Sequence, residues 1–101
     1  MDAKKKEGIV VGVGYYSRQD WERFLASASD REKLEDTYDE WLELYHKTIR
    51  DMKAAGIEPR KVSFNLDELL EYCKKKRLKN NSEVRAKFFS ELTKQGRSAK
   101  I

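Results

Sequence analysis

The sequence predicts an α+β domain of two layers, with two short antiparallel strands packed under four helices in the order strand-helix-helix-strand-helix-helix. Three observations carry this expectation. Two short runs, Ile9 to Tyr16 and Ile57 to Phe64, hold the β-branched and aromatic residues that suit strands. Two helix starts are written as capping boxes, Thr37 with Glu40 and Asn65 with Glu68. Glycines at Gly56 and Gly96 fall where amphipathic stripes stop.

The elements follow in order. Met1 to Glu7, with Lys4, Lys5 and Lys6, lacks an apolar pattern and is expected to be a disordered basic arm. The first strand places Ile9, Val11, Val13 and Tyr15 on one face and Val10, Gly12, Gly14 and Tyr16 on the other. Its two interior glycines remove side-chain cover, so a ring, a backbone or a ligand can approach closely there. Ser17 is placed to cap a short helix striped by Trp21, Phe24, Leu25 and Ala28. After a polar connector, Thr37 opens the longest helix. Tyr38, Trp41, Leu42, Tyr45, Ile49 and Met52 recur along it at three- and four-residue steps. In the second strand Val62 and Phe64 alternate with Lys61 and Ser63, and Pro59 suits a strand end or sheet edge.

Asn65 then opens a third helix with Leu66, Leu69, Leu70, Cys73 and Leu78 on its apolar side and Lys74, Lys75, Lys76 and Arg77 at its end. Asn80 and Asn81 interrupt it. Asn81 or Ser82 caps a fourth helix carrying Val84, Phe88, Phe89 and Leu92, and residues 97–101 are expected to fray. Residues 8–96 thus read as a single α/β domain. Two antiparallel helices between the strands would return the chain and leave the strands antiparallel, the expected arrangement, whereas a single effective crossover would make them parallel. Two strands alone form a marginal sheet with open edges, which makes a homodimer sharing that sheet the expected assembly.

The bulk composition bounds the chemistry. The chain has 101 residues, 39% of them apolar and 40% charged, and eleven aromatic residues argue against a disordered chain. The one cysteine, Cys73, excludes an internal disulfide and a thiol-rich metal site, which suits a reducing cytoplasm. The apolar run from Ile9 to Val13 is too short for a membrane span. The net charge of +4 is split unevenly. Residues 1–59 carry ten Lys/Arg against thirteen Asp/Glu, and residues 60–101 carry twelve against five, or −3 against +7. Such asymmetry implies attraction between the halves, within or between chains, or a basic face for a polyanion.

Few constellations carry chemistry. Gly12-Val13-Gly14-Tyr15-Tyr16-Ser17 begins like a dinucleotide-binding turn, but Ser17 replaces the third glycine and the chain is too short for that fold. Glu43 and His46 have the spacing of a di-metal motif, yet His46 is the single histidine, so no metal is assigned. Cys73 lies among leucines and reads as a small core residue. The basic run Lys74, Lys75, Lys76, Arg77 and Lys79, followed by Arg85 and Lys87, is a candidate polyanion patch on an outline resembling a helix-turn-helix. Gly12, Gly14, Tyr15, Tyr16, Trp21 and Trp41 are candidates for an interface or pocket, because tyrosine and tryptophan bury area while keeping a polar handle.

Tyr15-Tyr16, Asp20-Trp21, the segment Asp36-Thr37-Tyr38-Asp39-Glu40-Trp41-Leu42 and the pair Leu70 and Cys73 resemble a family of short bacterial proteins of unknown function. The resemblance spans most of the chain and implies no activity, catalytic residue or cofactor. The sequence therefore favours a cytoplasmic, non-catalytic binding or assembly module that forms a homodimer, with no cofactor and no membrane partner. Two alternatives stand beside it. One is a nucleic-acid binder using the basic helix pair 66–95, and the other is a small-molecule-binding or enzymatic protein using the Gly12/Gly14 strand face.

Overall fold

Strand β1 (Val10–Tyr15) pairs with β2 (Glu58–Ser63) in parallel, in a register that sets Val10 opposite Glu58 and Tyr15 opposite Ser63. The structure, a computed structural model, describes residues 8–101, so the arm expected at residues 1–7 lies outside it. Between the strands run α1 (Trp21–Ser27), a 3-10 turn at Arg31–Lys33 and α2 (Tyr38–Ala54). After β2 come α3 (Leu66–Lys76), α4 (Ser82–Lys94) and a third strand, β3 (Ala99–Lys100). The fold is α+β, as the sequence predicted, with a three-stranded sheet in the order β1-β2-β3.

The parallel pairing corrects the expected antiparallel one. The two helices between the strands are unequal. α1 has seven residues and rises only about 10 Å, whereas the 17 residues of α2 rise about 25 Å and traverse the sheet alone. The connection therefore acts as one crossover, and a single crossover yields a parallel pair.

The helices also lie on both faces of the sheet rather than forming one layer over it. Gly12 and Gly14 point at α4, where a Cβ on Gly14 would collide with the ring of Phe89 and one on Gly12 with the Thr93 hydroxyl. The glycines thus let the helix seat directly on the strand. Val62 of β2, fully buried, shares that face. Tyr15 points the opposite way and meets Trp41 and Tyr45 of α2 edge-on, at centroid separations of 5.6 and 5.1 Å. α3 packs beside α4 and α1 and adds Leu66, Leu69 and Cys73 to the core.

Local signals place the helix ends. Thr37 accepts from the Glu40 amide and Glu40 reaches back to the Thr37 amide, and Asn65 with Glu68 does the same. Asn81 caps α4 by accepting from the Val84 amide. Ser17 closes a turn on Asp20, and α1 begins after it, at Trp21. The Asp20 carboxylate accepts instead from the Leu66 amide at 3.2 Å, which ties the first loop to the start of α3. α3 ends where Arg77 takes a left-handed φ of 56°, and the Leu78 amide then donates to the Cys73 carbonyl. That turn carries Leu78 out of the apolar stripe where the spacing had placed it, and it is exposed.

Two further corrections concern β2 and the segment after α4. β2 is the central strand although it contains Pro59. The Ile9 carbonyl accepts from the Glu58 amide, so alternation turns the Pro59 nitrogen away from β1, toward the side where β3 pairs only with Arg60 and Lys61. The segment expected to fray from residue 97 is held. Arg97 donates twice to Glu68, at 2.8 and 3.0 Å, Arg60 Nε donates to Ser98 Oγ at 2.9 Å, and Ala99 and Lys100 join the sheet.

Replacing Gly14 with alanine should destabilise the fold by about 1–3 kcal/mol, because the buried Phe89 ring must move. Chemical denaturation checks this. Combining G14A with Phe89→Leu should recover part of the loss, and a purely additive double mutant would show that the ring does not oppose the methyl group.

Candidate functional site

The structure separates the sequence candidates into three environments. Tyr16, Trp21 and Trp41 belong to the core, with Phe24 and Tyr38. Tyr16 stacks on Phe24 at 4.2 Å and meets Trp41 edge-on at 5.3 Å. The Tyr38 hydroxyl donates to the Tyr16 carbonyl at 2.8 Å. Burial and the neighbouring Tyr15 hydroxyl push the Tyr38 phenol up to about 12. The buried Trp21 indole N–H has no hydrogen-bond partner among the described residues and sits among the rings of Tyr16, Phe24, Tyr38 and Trp41. The Gly12 and Gly14 face is filled by α4, whose Phe89 ring and Thr93 hydroxyl occupy the space at the two glycines.

Tyr15 is the candidate that borders an opening. On the α2 side of the sheet, a cavity of about 560 Å³ is lined by Tyr15, Tyr45, His46, Ile49, Arg50, Lys61, Lys100 and Ile101. Lys61 projects from the middle of β2, with its ammonium 4.2 Å from the centre of the Tyr15 ring. Burial, followed by the effect of Tyr15, raises the Tyr45 phenol above its ordinary range. Among the described residues no carboxylate side chain lines the cavity.

The basic run remains at the surface. Lys74, Lys75, Lys76, Arg77 and Lys79 are all exposed, none forms an ion pair among the described residues, and the Lys76 ammonium lies 5.2 Å from the Tyr72 ring. Arg85, grouped with them by sequence, is not part of this surface. It is buried and donates to both oxygens of Asp30, at 3.0 and 2.8 Å, and to the Asn80 carbonyl and side-chain oxygen, each at 3.0 Å. The side chains of Arg85 and Asp30 are 6% and 10% exposed. Asp30 also accepts from the Ser82 amide at 3.1 Å, while the Arg85 guanidinium lies 5.1 Å from the Phe24 ring centre. The sequence did hold a signal for this. Arg85 lies three, four and seven residues before Phe88, Phe89 and Leu92, which places a cation on the apolar face of α4.

Burial pushes the Cys73 thiol up, which disfavours the reactive thiolate. His46 is exposed beside Tyr45, and among the described residues no group of three or more His, Cys, Asp or Glu is arranged to hold a metal ion. No helix among them is long and apolar enough to cross a membrane.

No family model matches the chain. Neither a curated protein nor a solved structure matches it significantly. The reading of its function rests on its own geometry.

The Arg85 guanidinium beside Asp30 holds that carboxyl below its ordinary value, and Arg97 does the same for Glu68. A depressed folded-state pKa contributes stability that is complete above the unfolded value and is lost as pH falls through the folded one. Urea midpoints should therefore fall from about pH 4 downward. Asp30→Asn should cost about 3 kcal/mol near neutrality, by leaving Arg85 unpaired, and should lose less on acidification than wild type. Equal acid sensitivity in wild type and D30N would remove Asp30 as the cause.

Proposed function

We propose that this protein is a non-catalytic binding and assembly module that forms a homodimer through the free edge of β1, in keeping with the sequence reading. The single observation that carries the reading is the state of that edge. Among the described residues β1 has one hydrogen-bonded neighbour, β2, and lies at the end of the three-stranded sheet. With the Ile9 carbonyl directed at β2, alternation turns the backbone groups of Val10, Gly12 and Gly14 outward. The strand VVGVGY carries no charge and no proline, the devices that ordinarily blunt an edge. Ile9 and Val10, each 42% exposed, extend an apolar surface beside it.

Antiparallel pairing of β1 with a second β1 across a two-fold axis is self-complementary and would convert two three-stranded sheets into one of six. A cytoplasmic setting accords with a single cysteine kept reduced and buried.

Light scattering on a sizing column, at low and moderate salt, tests the proposal. The wild type should elute as a salt-independent dimer at concentrations of about 10–100 µM. Val10→Pro removes an outward donor at the first strand position and should yield a folded monomer, as should Val10→Lys, which puts a charge on the bare edge. A monomeric wild type overturns the reading. If that monomer joins a short DNA duplex only at low salt, the exposed Lys74–Lys79 surface replaces it as a polyanion site.

A further inference from the structure

The cavity between α2 and the sheet has a composition that dimerisation does not use. Its cations come from three separate elements, with Arg50 on α2, Lys61 on β2 and Lys100 on β3. None of the three forms an ion pair among the described residues. Lys61 is the most telling of them. It is only partly exposed, and its position on the central strand fixes its stem. Partly desolvated cations are ordinarily paired with a carboxylate. Here the neighbour is the Tyr15 ring, whose face offers weaker compensation than an anion would.

The rest of the lining is flat and apolar. Tyr15 presents a ring, Ile101 adds aliphatic surface, the buried Tyr45 and Ile49 back the wall from α2, and His46 stands at the margin. A volume of about 560 Å³ is in the range of small-molecule sites. Rings and aliphatic groups beside three cations, with no carboxylate side chain among the described residues of the wall, match a ligand that has a planar apolar body and an anionic end.

We infer that this cavity binds a small planar aromatic anion of the mononucleotide class, with its ring against the wall formed by Tyr15 and backed by Tyr45, and its phosphate oxygens at Lys61, Arg50 and Lys100. The site is on the opposite face of the sheet from the glycines that first suggested a ligand. It is also separate from the exposed Lys74–Lys79 cluster, so occupancy of the two can be told apart by residue. Arg50 and Lys100 approach from the surface, and Lys61 supplies the charge nearest the rings.

The test is amide and side-chain NMR on the full chain, titrated with adenosine 5′-diphosphate, adenosine and inorganic pyrophosphate in turn. The diphosphate should produce saturable shifts at Tyr15, Tyr45, Ile49 and Lys61, with a Kd below about 1 mM. Adenosine and pyrophosphate, each lacking half of the match, should bind roughly tenfold more weakly or worse. Lys61→Met, which keeps the aliphatic stem, should weaken the diphosphate roughly tenfold while leaving the amide spectrum folded. Arg50→Met supplies a second variant on an exposed helix position where folding is not at stake. Absence of shifts with the diphosphate overturns the inference. So does pyrophosphate binding as tightly as the diphosphate, or shifts confined to Lys74–Lys79. None of these outcomes alters the oligomeric state, so failure here is distinct from failure of the β1 edge.

Discussion

The bidentate pair between Asp30 and Arg85 sets the position of α4, and through α4 much of the remaining packing. Burying two charges is expensive, and the cost is offset only where geometry and extra hydrogen bonds satisfy both. Both conditions are met. Arg85 reaches two carboxylate oxygens and two oxygens of Asn80, while Asp30 also takes the Ser82 amide at the start of α4. Asn80 in turn donates to Ser27 Oγ, and its carbonyl accepts from the Ser29 amide, so the end of α1 is bound into the same network. Because the pair fixes the first turn of α4, it fixes the helix's rotation. Phe89 and Thr93 follow Arg85 at four-residue steps and land on Gly14 and Gly12. The strand glycines and the buried arginine are thus two ends of one constraint.

What could be read from the sequence follows the range of the interactions. Both capping boxes were legible because donor and acceptor sit three residues apart, and the stripe from Tyr38 to Ile49 was legible because its period is that of a helix. The relative direction of β1 and β2 was not. It depends on which of two intervening helices crosses the sheet, and that is decided by packing rather than by pattern. β3 was missed because two residues carry no periodicity, and what holds them is Arg97 on Glu68 and Arg60 on Ser98. The candidate site was legible only in part. Tyr15 was named, but Lys61, Arg50 and Lys100 come from three elements whose meeting no spacing reveals.

The charge asymmetry acquires a more particular meaning in three dimensions. Among the described residues three ion pairs join the halves, and they run in both directions, with Asp30 to Arg85, Glu58 to Arg60 and Arg23 to Asp67. The excess of the second half is therefore not cancelled by the first. It divides between a solvated cluster at the end of α3 and cations drawn around the tyrosines beneath α2. The former is ordinary for a helix C-terminus, where lysines also satisfy the dipole. The latter is unusual, because it sets positive charge against apolar surface on a rigid strand.

The parallel register has a consequence for the order in which the molecule can form. Val10 waits for Glu58, forty-eight residues later, before its strand has a partner. During synthesis the first strand leaves the ribosome long before its mate, while α2 can already coil from its own cap. Closing so long a loop is slow. An uncharged, valine-rich segment is thereby left solvent-facing for the whole interval, the circumstance in which nascent chains stick to one another. Glycine at two of its six positions lowers its β-propensity, so the same residues that seat Phe89 in the finished fold also restrain the strand from pairing before α2 and β2 have been made.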